Sequence, residues 1–145
     1  MSMINPNICM FMSKMREKVR IQNLKVKNFK VGVVKFSGDL SDARKMLEKL
    51  NVDPVGVNIM ASKMILRIFE IRDLDLRAAN ILKQECLSIG AELALPKKAC
   101  ELRGGKTGAI LIVNLRQLDR LCAKLRAQHY GLPELGVALR KCVSI

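Results

Sequence analysis

Apolar residues recur at two different spacings along this chain, and the switches between them set an element order. From Gln22 to Lys35, Leu24, Val26, Phe29, Val31, Val33 and Val34 interleave with Lys25, Lys27, Lys30 and Lys35, the pattern of extended chain with one wet face. After Gly38 the spacing becomes helical through Leu40, Ala43, Met46, Leu47 and Leu50, with Asp39 or Ser41 able to cap the first turn. Asp53-Pro54 predicts a second helix start, because the carboxylate accepts free N–H groups and proline takes the position where no donor is missed. Met64 to Ile71 is mostly apolar and rich in strand formers, which predicts a strand near the middle of a sheet.

Asp73 or Asp75 then caps a helix through Leu76, Ala79, Leu82, Cys86 and Leu87, ended by Gly90 in the left-handed conformation. Ala91 to Leu95 reads as a short strand closed by Pro96, and the apolar run Ala109 to Val113 as a buried strand. Asn114 with Gln117 three residues on is a capping-box start for Leu115, Leu118, Leu121, Cys122 and Leu125. Pro133 to Arg140 reads as a closing helix. Lys97 to Gly108 lacks helical periodicity, so the strands on either side of it are expected to form an antiparallel hairpin. The predicted fold class is therefore α/β (α+β): a mixed sheet of about four strands with three to five helices, in the order β-α-α-β-α-β-β-α-α. The predicted organisation is a basic amino-terminal segment, 1–22, with a frayed start, followed by a single domain over 23–145.

Composition narrows the classes. Lys+Arg at 26 against Asp+Glu at 13 leaves a formal net charge of +13, and half of the 145 residues are apolar, which excludes a disordered chain. No apolar run approaches the ~20 residues of a membrane span, and no secretory signal precedes the basic residues. The expectation is a cytoplasmic protein. Cys9, Cys86, Cys100, Cys122 and Cys142 are odd in number and widely spread, which fits reduced thiols rather than a disulfide framework.

Candidate chemistry is sparse. Gly104-Gly105-Lys106-Thr107-Gly108 superficially resembles a phosphate loop, but such a loop follows a strand and opens a helix, whereas these glycines precede a strand. No CxxC or HxxxH pair is present, so no metal is expected. His129 is the sole histidine and sits beside Tyr130 and Gly131 past a helix, which suits a helix-end residue better than a catalytic base. No cofactor and no catalytic residue is predicted. The basic surface is the stronger feature: Arg116, Arg120 and Lys124 recur every four residues opposite a leucine face, joined by Lys97, Lys98, Arg103 and Lys106. Such a surface suits nucleic acid or another polyanion. It equally suits a solvated face that keeps the protein soluble, and aromatic residues for base stacking amount to only 3%.

The runs Asn51-Val52-Asp53-Pro54-Val55-Gly56-Val57 and Arg77-Ala78-Ala79-Asn80-Ile81-Leu82-Lys83-Gln84-Glu85, with Leu87-Ser88-Ile89-Gly90 and later Gln128-His129-Tyr130-Gly131-Leu132, carry a family resemblance. Over about Leu50 to Arg140 the chain resembles the amino-terminal domain of long-form bacterial dihydropteroate synthases. It departs from that pattern at Cys86, Ala91 and Ile112-Val113-Asn114. In that family catalysis resides in a separate (β/α)₈ barrel that makes dihydropteroate for folate from a pterin pyrophosphate and p-aminobenzoate, and such a barrel takes ~250 residues. The resemblance thus implies an accessory domain of folate synthesis without activity of its own, docking to a barrel partner or self-associating. The alternative is a small basic nucleic-acid-binding protein. Within the matched block, Asn80, Gln84 and Ser88 share one helix face at four-residue spacing. With Lys83 they form a candidate strip for a partner or small ligand, against the plainer reading of an ordinary wet helix face.

Overall fold

The computed structural model describes residues 24–26, 29–99 and 104–143. The 1–22 segment, Cys9, Cys100 and Arg103 lie outside the described residues. Contacts divide the chain into two compact units, Met1–Ile65 and Leu66–Ile145.

In the first unit, strands β1 (Leu24–Val26) and β2 (Phe29–Val31) pair antiparallel with Lys25 opposite Lys30. The alternating segment is therefore two short strands rather than one. Helix α1 (Leu40–Lys49) starts at Asp39, whose carboxylate accepts from Asp42 N at 3.0 Å while the Asp42 carboxylate accepts from Asp39 N. This reciprocal cap satisfies two of the four orphan donors of a helix start. Helix α2 (Pro54–Lys63) begins as its Asp-Pro pair requires, Asp53 accepting from Val55 N and Gly56 N at 3.1 and 3.4 Å. Asn51, at φ 59°, makes the left-handed step between the two helices.

The second unit holds β3 (Leu66–Asp75), α3 (Leu76–Ser88), β4 (Glu92–Ala94), β5 (Lys106–Asn114), α4 (Leu115–Leu125) and α5 (Leu132–Val143). The element order and the α/β class follow the sequence pattern. The sheet runs β3-β5-β4, and all its described pairs are antiparallel rather than mixed. β4 and β5 form the expected hairpin, with Leu93 opposite Leu111. β3 lies at an edge and not in the middle. Its register against β5 shifts between Ile71 and Leu74, where Asp73 has φ 55°. This is a bulge that adds one residue to the edge strand.

The core of this unit lies on one side of the sheet. Leu93, Ala109, Leu111 and Val113 join Ala78, Ala79, Leu82 and Cys86 of α3, Leu118, Leu121 and Leu125 of α4, and Leu132 and Leu139 of α5. Gly136 explains how closely α5 approaches α4: a Cβ there would sit 3.6 Å from Leu125 Cβ and 3.8 Å from the Cys122 backbone. Asn114 and Gln117 cap each other's backbone at the start of α4, and Gly90 ends the α3 region at φ 75°. Among the described residues no helix is long and apolar enough to cross a membrane.

Candidate interaction surfaces

The polar residues of the matched block first have to be placed against α3 and α4. Asp75 caps α3 by accepting from Arg77 N at 2.8 Å, and it holds the Arg77 guanidinium through two further contacts of 3.1 and 2.9 Å. Those charge-assisted bonds from Arg77 hold the Asp75 carboxyl down at about 2, well below its usual range. The same guanidinium lies 4.2 Å from the centroid of the Tyr130 ring, a cation–π contact. Tyr130 adopts φ 58° and meets His129 edge-on, with 6.3 Å between ring centroids.

Further along the same seam, Glu85 pairs with Lys124 at 3.2 Å and accepts from Gln128 Nε2 at 3.3 Å. Gln117 Nε2 reaches across to donate to Gly90 O at 3.0 Å. The block's side chains therefore tie the outside of α3 to α4 and to the loop that follows it.

The candidate strip on α3 is turned largely onto its own backbone. Asn80 Nδ2 donates to Leu76 O at 3.0 Å, Ser88 Oγ donates to Glu85 O at 2.7 Å, and Lys83 Nζ donates to Leu93 O at 2.7 Å. Gln84 is exposed. Asn80, Gln84 and Ser88 stand on a convex helix face, and none of them lines either of the two hollows described for the chain. Of the basic stripe, Arg116 and Arg120 are exposed, while Lys124 is committed to Glu85. Lys97 and Lys98 on the β4–β5 connection and Lys106 at the start of β5 are also exposed.

The two buried thiols are poor nucleophiles. Burial pushes Cys86 up to about 11 and raises Cys122 as well, so both stay protonated near neutral pH. Among the described residues no three His, Cys, Asp or Glu side chains converge on a metal position, and no buried side-chain polar atom lacks a partner.

The feature that residue-by-residue reading missed is the far side of the sheet. Leu66 and Ile68 of β3 are 57% and 66% exposed, and Ile110 and Ile112 of β5 are 45% and 37% exposed. The register sets Ile68 beside Ile112, and Ile110 between Glu70 and Ala94, so the four form one contiguous patch. Gly108, with no side chain, leaves a hollow of about 360 Å³ bordered by Glu70, Arg72, Ala94, Pro96 and Ile110. A signal for this patch is present in the sequence. The runs 66–71 and 109–113 are apolar at both parities, which predicts cover on both faces, whereas the helices of this unit cover one.

Comparison with known proteins finds partial relatives. A probable bifunctional folylpolyglutamate synthase/dihydropteroate synthase of Halobacterium salinarum is 38% identical over 106 residues, covering 73% of this chain and 13% of that protein. A bifunctional dihydropteroate synthase/dihydropteroate reductase of Helicobacter pylori is 32% identical over 97 residues, covering 67% of this chain and 26% of the relative. A second probable folylpolyglutamate synthase/dihydropteroate synthase, from Haloferax volcanii, is 30% identical over 114 residues, 78% of this chain and 13% of its own length. The chain thus spans between 13 and 26% of these relatives and is related to a segment of each. No family model matches it, and no solved structure matches it.

Proposed function

We propose that residues 23–145 act as a non-catalytic accessory domain in the cytoplasm, docking against the catalytic barrel of a dihydropteroate synthase in folate synthesis. The observation that carries this reading is the apolar face of Leu66, Ile68, Ile110 and Ile112, left open on a unit whose relatives contain it as a minor part of a longer chain. Contiguous exposed apolar surface of this kind marks a contact site.

The names of the relatives support the choice of partner. They join dihydropteroate synthase to two different second activities, and dihydropteroate synthase is what they share. The strip Asn80, Lys83, Gln84 and Ser88 lies on α3, on the helix-covered side of the sheet away from that face, and offers a separate polar contact surface on which Gln84 has the most available side chain.

A second reading, nucleic-acid binding, draws on the exposed Arg116 and Arg120 together with Lys97, Lys98 and Lys106. It predicts binding that falls with salt at a log–log slope of about −0.9 per duplex phosphate neutralised.

One pull-down from cell extract at low and high salt separates the two. Capture of a dihydropteroate synthase that survives high salt, and that is lost in Ile112→Asp, supports the accessory reading. Capture of nucleic acid that washes off with salt, with no such enzyme, overturns it.

A further inference from the structure

Natural sheets blunt their edges with short strands, lysines, prolines or covering elements, because a free edge is a template for another strand. β3 does little of this. It is the longest strand described, ten residues reading Leu-Arg-Ile-Phe-Glu-Ile-Arg-Asp-Leu-Asp, without lysine or proline. It pairs with β5 on one side, and among the described residues no strand pairs with its other side. Only its end carries a blunting device, the bulge between Ile71 and Leu74. The six residues Leu66–Ile71 before it are regular.

We infer that this edge pairs with the same edge of a second copy of the chain, giving a twofold dimer with one continuous six-stranded sheet. Charge lets a second copy approach at this edge. The chain as a whole carries +13, so most of its surface repels another copy. β3 holds two arginines against three carboxylates, which makes it a locally neutral line of approach.

The register follows from geometry. A twofold axis perpendicular to the sheet keeps every side chain on its own face, so only residues of equal parity can stand opposite one another. Centring the pair on Glu70 sets Glu70 against Glu70, and like charges directly opposite destabilise a sheet. Centring on Ile71 runs the pairing into the bulge. Centring on Phe69 keeps the pairing from Arg67 to Ile71 within the regular stretch. It places Ile68 opposite Glu70, Arg67 opposite Ile71, and the two Phe69 rings on the axis as an aromatic pair. The open Leu66 and Ile68 rows of the two copies then join into one face.

The test exploits the Ile68–Glu70 juxtaposition. Light scattering or sedimentation equilibrium of the 145-residue chain reads its mass against the 16.2 kDa of a single copy. The wild type is expected at twice that mass. Ile68→Lys, which sets an ammonium opposite each Glu70, remains dimeric. Ile68→Glu, which sets two carboxylates opposite each other twice, falls to the single-copy mass with an unchanged far-ultraviolet spectrum. A wild type that stays at 16.2 kDa even at millimolar concentration overturns the inference, as does an Ile68→Glu dimer as stable as the Ile68→Lys one. Should either variant unfold, amide exchange of the wild type decides. Protection of β3 that rises with protein concentration supports the dimer, and protection independent of concentration overturns it. A monomeric chain that still captures dihydropteroate synthase defeats this inference while leaving the accessory reading intact.

Discussion

Two neighbouring residues of β5 provide a direct measure of how one-sided this sheet is. Leu111 is fully buried between Phe69 and Leu93 on the helix-covered face, and Ile110 is 45% exposed on the other. Leu111→Ala removes packed methyl groups and leaves a cavity that α3 and α4 cannot fully close, which costs about 2–5 kcal/mol. That is a large fraction of the ~5–15 kcal/mol that holds a typical domain. Ile110→Ala removes a side chain that is nearly half wet and leaves no enclosed cavity. Full burial of an isoleucine stabilises by roughly 1.5–3 kcal/mol, so its partial burial here is worth about 1 kcal/mol. For a unit of this size each kcal/mol moves the melting temperature by about 4–8 °C. The chain has no tryptophan, so thermal and urea unfolding are best followed by far-ultraviolet circular dichroism. Leu111→Ala should melt well below wild type, and Ile110→Ala within a few degrees of it. Equal losses at the two positions would refute the open face and with it the docking surface.

Three further outcomes follow from side chains of the second unit. Lys124→Ala removes the cation between Glu85 and the α4 surface, and should cost about 0.5–1 kcal/mol by urea titration, a loss that shrinks in high salt. Thiol labelling in the native state at neutral pH should modify exposed Cys142 while sparing buried Cys86, held at about 11, and Cys122; equal rates for the three would contradict their placement. Asp75, with a folded value of about 2 against the usual 3.8, binds its proton more readily when unfolded, so its contribution is complete above 3.8 and lost as pH falls toward 2. A carboxyl titration by NMR, with Asp75→Asn as control, should show α3 amide protection declining across that window in the wild type alone.

What the sequence made legible was local. Asp53 and Asn114 cap their helices where the pattern put them, and of the alternatives Asp39 or Ser41 and Asp73 or Asp75 the caps are Asp39 and Asp75, each acting within three residues of itself. Gly90 ends the α3 region because the left-handed backbone there suits no other residue as well. The parts that were not legible depend on long-range partners. The apolar composition of β3 spoke for burial on both faces and so for a central strand, but strand order is set by which edges meet, and β5 took the centre. The alternation from Gln22 to Lys35 carried no sign that it would fold back on itself as a hairpin. Nor did the four-residue spacing of Asn80, Gln84 and Ser88 reveal that two of the three satisfy their own helix.

The division of labour between the two sides of the second unit bears on what the family block means. Its polar members Arg77, Glu85 and Gln128, with Gln117 and Lys124 of α4, are paired internally, joining α3 to α4 and to Tyr130 through bonds that span 27 and 43 residues of sequence in two cases. Groups paired in this way offer an incoming partner little, because breaking each bond sets its cost against any new contact. The opposite face has no such obligations: Leu66, Ile68, Ile110 and Ile112 gain by leaving water and give up no hydrogen bond in doing so. These paired residues therefore maintain the helical layer, and the sheet face they leave uncovered is the apolar surface on which the proposed docking rests.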